Sequence, residues 1–594
     1  MKQHIPHMIR DRAARYGSRE VLKAKDIASG NYKAIQWDDM LRQVNQVSRA
    51  LLSLGFGFDS KIGICSDNKP QWTIADLGIL QIRAINVPFF GNASSQQLRY
   101  IISETGMQLM FVGNREQMER ALRLADHEGT LSMVVGLDSA LTDTSKKFIA
   151  WEQFLALGNN AEYNAAIETL LNQATPGDIA TIIYTSGTTG APKGVMLTHN
   201  NFMYCMKIHD ERLLVGEQDV SMCFLPLSHV FERAWTYYIL YRGALNVYLE
   251  NPKAVIETMP EVKPTVMCTV PRFFEKTYEG IRLEESKWPA YKRKIFEWAI
   301  NTGREVSDQK KNNKSIVPQL ALKYFFADRL VLKKLRSVLG GRIRFMPCAG
   351  AAIRPDLLKF FHAAGIFVNY GYGATETTAT VSCFRSDIYE FESVGTIMPG
   401  IEVDFSPEGE ILVKGGTVFA GYYGKPDETA KILTDGWYHT GDTGGLTSSG
   451  NLIMLDRMND IFKTSGGKFV SPQKIELLLC DDPFIEQAVV IGDNRKFISA
   501  LIVPSVAKLR NQFGLPGEKA DDAEILVKEE AVIDFMKLRI DRVQAELAPY
   551  ERVVKFTLLP ELFTVENEAL TATLKIRRRI VERNFMELIE AMYR

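Results

Sequence analysis

Short apolar runs alternate with helix-spaced apolar positions along most of this chain. Leu41, Val44, Val47, Leu51 and Leu54 recur every three or four residues, with Asp38 and Asp39 before them and Gly55 after. That spacing predicts an amphipathic helix capped by one of the aspartates. KIGICSDN then reads as a buried strand running into a polar turn, and LMFVG, SMVVGL, PTVMCTV and IRFMPCAG are further strand-like runs. Such alternation predicts an α/β fold with helices layered on buried sheets. TIADLGILQIRAINVPFF comes nearest to a membrane span, but Asp76 and Arg83 interrupt it, and it falls short of the ~20 apolar residues required.

The pattern shifts twice. ESKWPAYKRKIFEWAINTGREVSDQKKNNKS is helical, basic and aromatic, and reads as an insertion at about 281–340. Trp288, Phe296 and Trp298, with Lys292, Arg293 and Lys294 nearby, suit a helix lying on a bilayer as well as one packed on its own domain. After LDRMNDIFKTSGGKFVSP comes a shorter α/β pattern containing QAVVIGD and ISALIVP. The expected architecture is a large multi-subdomain N-terminal region, 1–458, and a small α/β C-terminal domain, 459–594.

Length and composition agree. The 594 residues are too many for one core and suggest about two to four domains. Apolar content of 46% and charged content of 24% are those of a globular protein, and the formal net charge of zero gives no global argument for nucleic acid. The seven cysteines are scattered, without a C-x-x-C pair, so neither a disulfide framework nor a thiolate metal site is indicated. The opening MKQHIPHMIRDRAARYG carries charges where a signal peptide needs apolar residues. A cytoplasmic protein, at most peripheral to a membrane, is the expectation.

The chemistry starts at IIYTSGTTGAPKGVML, residues 182–197. Glycines there let backbone N–H groups wrap an anion closely. Thr185, Ser186, Thr188 and Thr189 add hydroxyl donors around Gly187 and Gly190, and Lys193 adds positive charge. Phosphate is the natural ligand. The loop is not a Walker A motif, because Pro192 stands where the second glycine belongs.

YTSGTTGAPKGVMLTHNN resembles the phosphate-binding signature of the adenylate-forming (AMP-binding) enzymes. LPLSHVFERAW, PCAGAAIRPDL, YGYGATETTA, GWYHTGD, LDRMNDIFKTSGGKFVSPQKIE and TATLKIRRRI follow in the family's order. The resemblance spans nearly the whole chain. It implies that Gly350, Ala351 and Ala352, with Gly371, Tyr372 and Gly373, hold adenine, that Thr375 donates to a phosphate, and that Glu376 holds Mg²⁺. Asp442 would accept the ribose hydroxyls, with Arg457 as a second ribose contact. His229 would orient the acyl carboxylate. Lys575 would reach the reacting carboxylate and phosphate, although Ala572 stands where the long-chain branch commonly has proline. Gly466 would line the passage for the thiol arm of CoA, Lys468 would contact phosphate in the first step, and Asn459 would be the hinge on which the small domain rotates.

The HVFERAW and VPRFFEKTYEGI stretches and the basic insertion resemble the long-chain fatty acyl-CoA synthetase branch. The resemblance therefore implies a magnesium-dependent ligase that makes acyl-AMP from ATP and a fatty acid, releasing pyrophosphate, and passes the acyl group to CoA. Trp235, Tyr237, Tyr238, Phe273 and Phe274 are candidates for an apolar tunnel. A fatty acyl-AMP ligase loading a carrier protein, and a non-catalytic acyl- or nucleotide-binding protein at membranes, are the alternatives.

Overall fold

In the computed structural model, residues 4–26, 29–185, 192–311, 314–458, 461–466, 468–514, 521–564, 567–570 and 576–594 are described. The first helix expected from spacing runs over Trp37–Ser53 and buries Met40, Val44, Val47 and Leu51. It starts before its acidic residues. Asp38 and Asp39 lie in the first turn rather than at the cap, where negative charge favours the unpaired N–H groups. The expected strands form over Lys61–Cys65, Leu109–Val112, Met133–Gly136 and Phe345–Cys348. PTVMCTV makes only isolated bridges, Val266 to Ser221 and Phe345, and Thr269 to Cys348.

One unit gathers Met1–Asp404, Leu412–His439 and Leu446–Ile453. Its eight-stranded sheet contains a parallel set in the order Ile179–Thr185, Ile85–Phe89, Lys61–Cys65, Leu109–Val112, Met133–Gly136 and Phe148–Ile149. Lys193–Thr198 returns antiparallel beside Ile179–Thr185, and Gly421–Tyr422 adds the edge. Helix Pro70–Gln81 is buried almost throughout, as an element covering a parallel sheet must be.

The interrupting charge of that helix has a partner. Asp76 accepts from Arg233 Nη2 at 2.5 Å, from the Tyr237 hydroxyl at 2.5 Å and from Asn86 Nδ2 at 2.6 Å. Arg233 also donates to Thr181 Oγ1 at 2.7 Å. The network joins helix Pro70–Gln81, helix Val230–Arg242 and the strands Ile85–Phe89 and Ile179–Thr185.

The insertion is helical, as expected, over Ala290–Lys311 and Pro318–Ala327. Its aromatic residues do not share one face. Phe296 is buried against Trp288 and Phe360, with ring centroids 5.6 and 6.5 Å away, whereas Trp298 is exposed. Among the described residues no helix is long and apolar enough to cross a membrane. Cys65, Cys205, Cys223, Cys268, Cys348 and Cys383 are buried free thiols.

A second unit gathers Phe405–Ile411, Thr440–Gly445 and Met454–Arg594. Its sheet, Ile485–Ile491, Ile498–Pro504 and Val553–Leu558, shows how two-residue periodicity serves two cores. Ala488, Val490, Ala500 and Ile502 pack on one side, and Val489, Ile491, Leu501 and Val503 on the other.

Candidate functional site

The glycine-rich stretch connects a β-hairpin. Strand Ile179–Thr185 pairs with Lys193–Thr198, and Thr185 opposite Lys193 is the last pair before the loop. Ser186, Gly187, Thr188, Thr189 and Gly190 lie outside the described residues. On the other side of the returning strand, Tyr422 pairs with Val195. The Tyr422 hydroxyl donates to Glu376 Oε1 at 2.9 Å, and Lys193 Nζ sits 5.1 Å from the Tyr422 ring centroid. Lys193 Nζ also lies 2.5 Å from Glu428 Oε2, and this contact holds the Glu428 carboxyl below its ordinary range. Burial, aided by the Glu376 charge, pushes the Tyr422 phenol up, so it remains a donor. Lys193, Glu376, Tyr422 and Glu428 thus form one cluster at the foot of the loop. Glycine-rich composition marked the loop in the sequence, but nothing local marked Tyr422 or Glu428.

Glu376 is presented by a tight piece of chain. Strand Phe367–Tyr372 ends and the turn Thr375–Thr377 follows. A Cβ at Gly371 would meet Ser382 O at 2.4 Å, and one at Gly373 would meet Ala379 O at 2.0 Å. Thr378 and Ala379 take φ values of 48° and 79°. Left-handed backbone at such residues costs about 1–3 kcal/mol each and persists only where surrounding bonds hold it. Here the Thr378 hydroxyl donates to Thr417 O at 2.6 Å, and Phe419 N–H donates to Glu376 O at 2.9 Å. Thr375 is buried in this turn. Gly350 takes φ 94°, Ala351 O accepts from the Tyr370 hydroxyl at 3.2 Å, and Ala352 follows half-buried.

His229 caps helix Val230–Arg242: its Nδ1 accepts from Phe231 N–H at 3.2 Å, which leaves the neutral ring's proton on Nε2. The turn before it is gripped by two buried residues that spacing did not single out. Asn68 accepts from Leu227 N–H at 3.1 Å and donates to Leu225 O at 2.7 Å. Glu232 Oε2 accepts from Leu225 N–H at 3.0 Å and takes a contact from Cys268 Sγ at 3.3 Å. Burial pushes the Glu232 carboxyl up to about 8. Asn68 was foreshadowed only as part of the polar turn closing a buried strand, where ligand-facing groups of parallel sheets collect.

A small cavity of about 30 Å³ opens beside Tyr372, bordered by His209, Phe231, Trp235, Cys348, Gly371 and Thr380 among others. Of the five aromatics expected at a tunnel, Trp235 alone borders this cavity. Tyr237 is held by Asp76 and Arg233, and Tyr238 donates to His209 O at 3.4 Å. Phe273 and Phe274 meet edge to face, as do Phe274 and Phe361. Their hydroxyls and rings are used up in the core.

In the second unit, Gly441 turns with φ 72° and its N–H donates to Glu410 Oε1 at 2.8 Å. That turn sets the buried Asp442, whose Oδ1 lies 3.5 Å from Arg457 Nε. The two expected ribose contacts are therefore neighbours. Gly466 and Lys468 lie exposed at the hairpin Phe462–Lys463 and Phe469–Val470, with Lys468 Nζ 5.7 Å from the Tyr550 ring centroid. Among the described residues, a Cβ at Gly466 would meet Thr464 Oγ1 alone, at 3.9 Å. Asn459 and Lys575 lie outside the described residues.

Comparison with known proteins adds the context. Residues 9–423 match the family described as AMP-binding enzyme, and residues 459–594 match AMP-binding enzyme C-terminal domain. The chain is 31% identical over 583 residues to long-chain-fatty-acid–CoA ligase FadD15 of Mycobacterium bovis, covering 96% of this chain and 93% of that one. It is 28% identical over 590 residues to the peroxisomal long chain acyl-CoA synthetase 7 of Arabidopsis thaliana, with 95% and 82% covered. Among solved structures, the anthranilate CoA ligase AuaEII in complex with anthranoyl-AMP superposes with a TM-score of 0.73 at 18% identity, covering 99% of this chain and 98% of that one. ATP-bound MatB from Rhodopseudomonas palustris gives 0.70 at 18%, covering 99% and 100%.

Proposed function

Because the chain belongs to the AMP-binding enzyme family, we propose that it activates a long-chain fatty acid with ATP and transfers the acyl group to CoA. Its fold is the adenylate-forming one, a large N-terminal α/β region with a smaller C-terminal domain. The observation that carries the reading is the cluster of Lys193, Tyr422 and Glu376 at the foot of the glycine-rich loop, in a chain that aligns over 95–96% of its length with long-chain ligases.

The first step sets two anions against each other. A fatty acid carboxylate oxygen attacks the α-phosphorus of ATP, and the bond to pyrophosphate breaks. Fixed cations must neutralise the approach. Lys193 serves the outer phosphates together with the hydroxyls and N–H groups of Thr185, Ser186, Gly187, Thr188, Thr189 and Gly190. Its present partner Glu428 is half-exposed. Such a pair is worth ~0–1 kcal/mol, so a phosphate displaces it readily. Glu376 suits Mg²⁺: it is a carboxylate positioned by the Tyr422 phenol, and that cation takes few protein oxygens and keeps its waters. Bound there, the ion supplies charge neutralisation on the phosphates.

Adenine lies between Gly350, Ala351 and Ala352 and the strand end Gly371, Tyr372 and Gly373, with Thr375 donating to a phosphate. Asp442 accepts the ribose hydroxyls with Arg457 beside it. His229, its ring held by the helix cap, orients the carboxylate, and the acyl chain is directed towards Trp235. The small domain, turning at Asn459, brings Lys575 and Lys468 for adenylation and then Gly466 for the CoA thiol. The thiolate sulfur attacks the acyl carbon and AMP departs.

The test is pyrophosphate release over a panel of fatty acids, with and without CoA. ATP-dependent pyrophosphate release with long chains, and thioester only when CoA is present, is the expected result. Release without any CoA-dependent product points to a carrier-protein acceptor instead, and no release with any fatty acid removes the reading.

A further inference from the structure

Residues 281–340 hold fourteen Lys and Arg against six Asp and Glu, a net charge of +8 in a chain whose sum is zero. Within this stretch, helix Pro318–Ala327 continues through a π turn, Asp328–Leu332, into helix Lys333–Val338. Leu320, Ala327 and Leu332 are buried, so the helix has an inner face. Its outer face is not polar throughout. Leu322, Phe325, Phe326 and Leu330 are 61%, 55%, 50% and 53% exposed. Their spacing puts them on adjacent turns, and the two phenylalanine rings touch edge to face, with centroids 5.5 Å apart. Lys323, Arg329, Lys333 and Lys334 are exposed on the same helix. Helix Ala290–Lys311 repeats the composition, with Tyr291, Ile295 and Trp298 exposed beside Lys292, Arg293 and Lys294.

Contiguous apolar side chains left in water mark a surface that meets something. The charge identifies what. A second copy would bring the same positive face against this one, which repels it. An anionic bilayer offers both halves of the match: phosphates for the lysines and an acyl boundary for the rings. Lysine stems can also lie along apolar surface while their ammonium groups stay at the phosphates. We propose that the outer face of the helix 318–338 docks on an anionic lipid surface, with Leu322, Phe325, Phe326 and Leu330 entering the headgroup boundary. The aromatic set expected from sequence for this role was a different one, and Phe296 has already left it for the core.

Co-sedimentation with phosphatidylcholine–phosphatidylglycerol vesicles (1:1), without ATP, fatty acid or CoA, tests the surface independently of catalysis. The protein should bind these vesicles at low salt, at least ~10-fold more weakly at high salt and on pure phosphatidylcholine. Phe325→Ser/Phe326→Ser should lower binding at least ~10-fold with an unchanged melting temperature. Lys333→Glu/Lys334→Glu should lower it about 30-fold or more, and keeps the test independent if the first variant folds poorly. Absent binding by the parent protein, or parent-like binding by both variants, overturns the proposal. So does a lipid-free dimer, seen by sedimentation velocity, that Phe325→Ser/Phe326→Ser dissolves, because the face then belongs to a second copy.

Discussion

Lys193 is the residue on which the loop closes, since its backbone pairs with Thr185 and its ammonium group lies beside the Tyr422 ring. Lys193→Ala should slow acyl-AMP formation by ~10²-fold, the scale of one transition-state charge contact, with the backbone pairing retained. Pyrophosphate release at varied ATP measures it, and unchanged kinetics take the residue out of the site. Glu232 makes a different kind of prediction. Its folded carboxyl titrates at about 8, raised by burial from an ordinary 4.5. The folded state therefore favours the neutral acid. The stability this brings is complete below pH ~4.5 and falls as pH rises towards 8, by at most ~1.4 kcal/mol per pH unit. Glu232→Gln keeps an acceptor for Leu225 N–H but has nothing to ionise. Denaturant titrations at pH 5 and 8 should show the parent losing stability relative to the variant, and parallel behaviour would refute the buried-acid assignment.

At the scale of elements, the Asp76–Arg233 pair holds together the strand that feeds the phosphate loop and the helix that His229 caps. Both side chains are removed from water. Breaking one half strands the other, which costs ~3–5 kcal/mol, while replacing both with apolar groups is far cheaper. Arg233→Met should therefore lower stability by that amount, and Asp76→Leu/Arg233→Met should recover most of it. Thermal unfolding of the two variants decides between this and a dispensable pair, for which the single substitution would cost no more than the double.

At the scale of the whole molecule, one small domain is proposed to serve both half-reactions, and its residues should divide between them. Lys575→Ala should abolish acyl-AMP formation yet convert supplied acyl-AMP and CoA into product. Gly466→Leu should do the reverse. Among the described residues a Cβ at Gly466 meets Thr464 Oγ1 at 3.9 Å, an ordinary contact, and an unchanged melting temperature separates a thioesterification defect from misfolding. Assays of the separated half-reactions read both, and equal slowing of both halves by each variant would end the alternation scheme.

The chain by itself determined what depends on local order. Period-two and helical spacing placed the helix Trp37–Ser53 and the strands from Lys61–Cys65 to Phe345–Cys348, and a run of glycines, hydroxyls and one lysine marked an anion loop. Motifs in order marked the family. Tertiary structure alone decided which distant residues complete those pieces: Tyr422 and Glu428 beside Lys193, and Asn68 and Glu232 beneath the turn before His229. It also decided which aromatics face a cavity, a core or solvent. Tyr237, Phe274 and Phe296 went inward while Trp235 kept a cavity wall and Phe325 stayed out. The reason is physical. Periodicity depends on neighbours along the chain, whereas a hydrogen bond, an ion pair or a packed ring depends on which surfaces the fold brings within a few ångströms, and spacing along the chain carries no record of that.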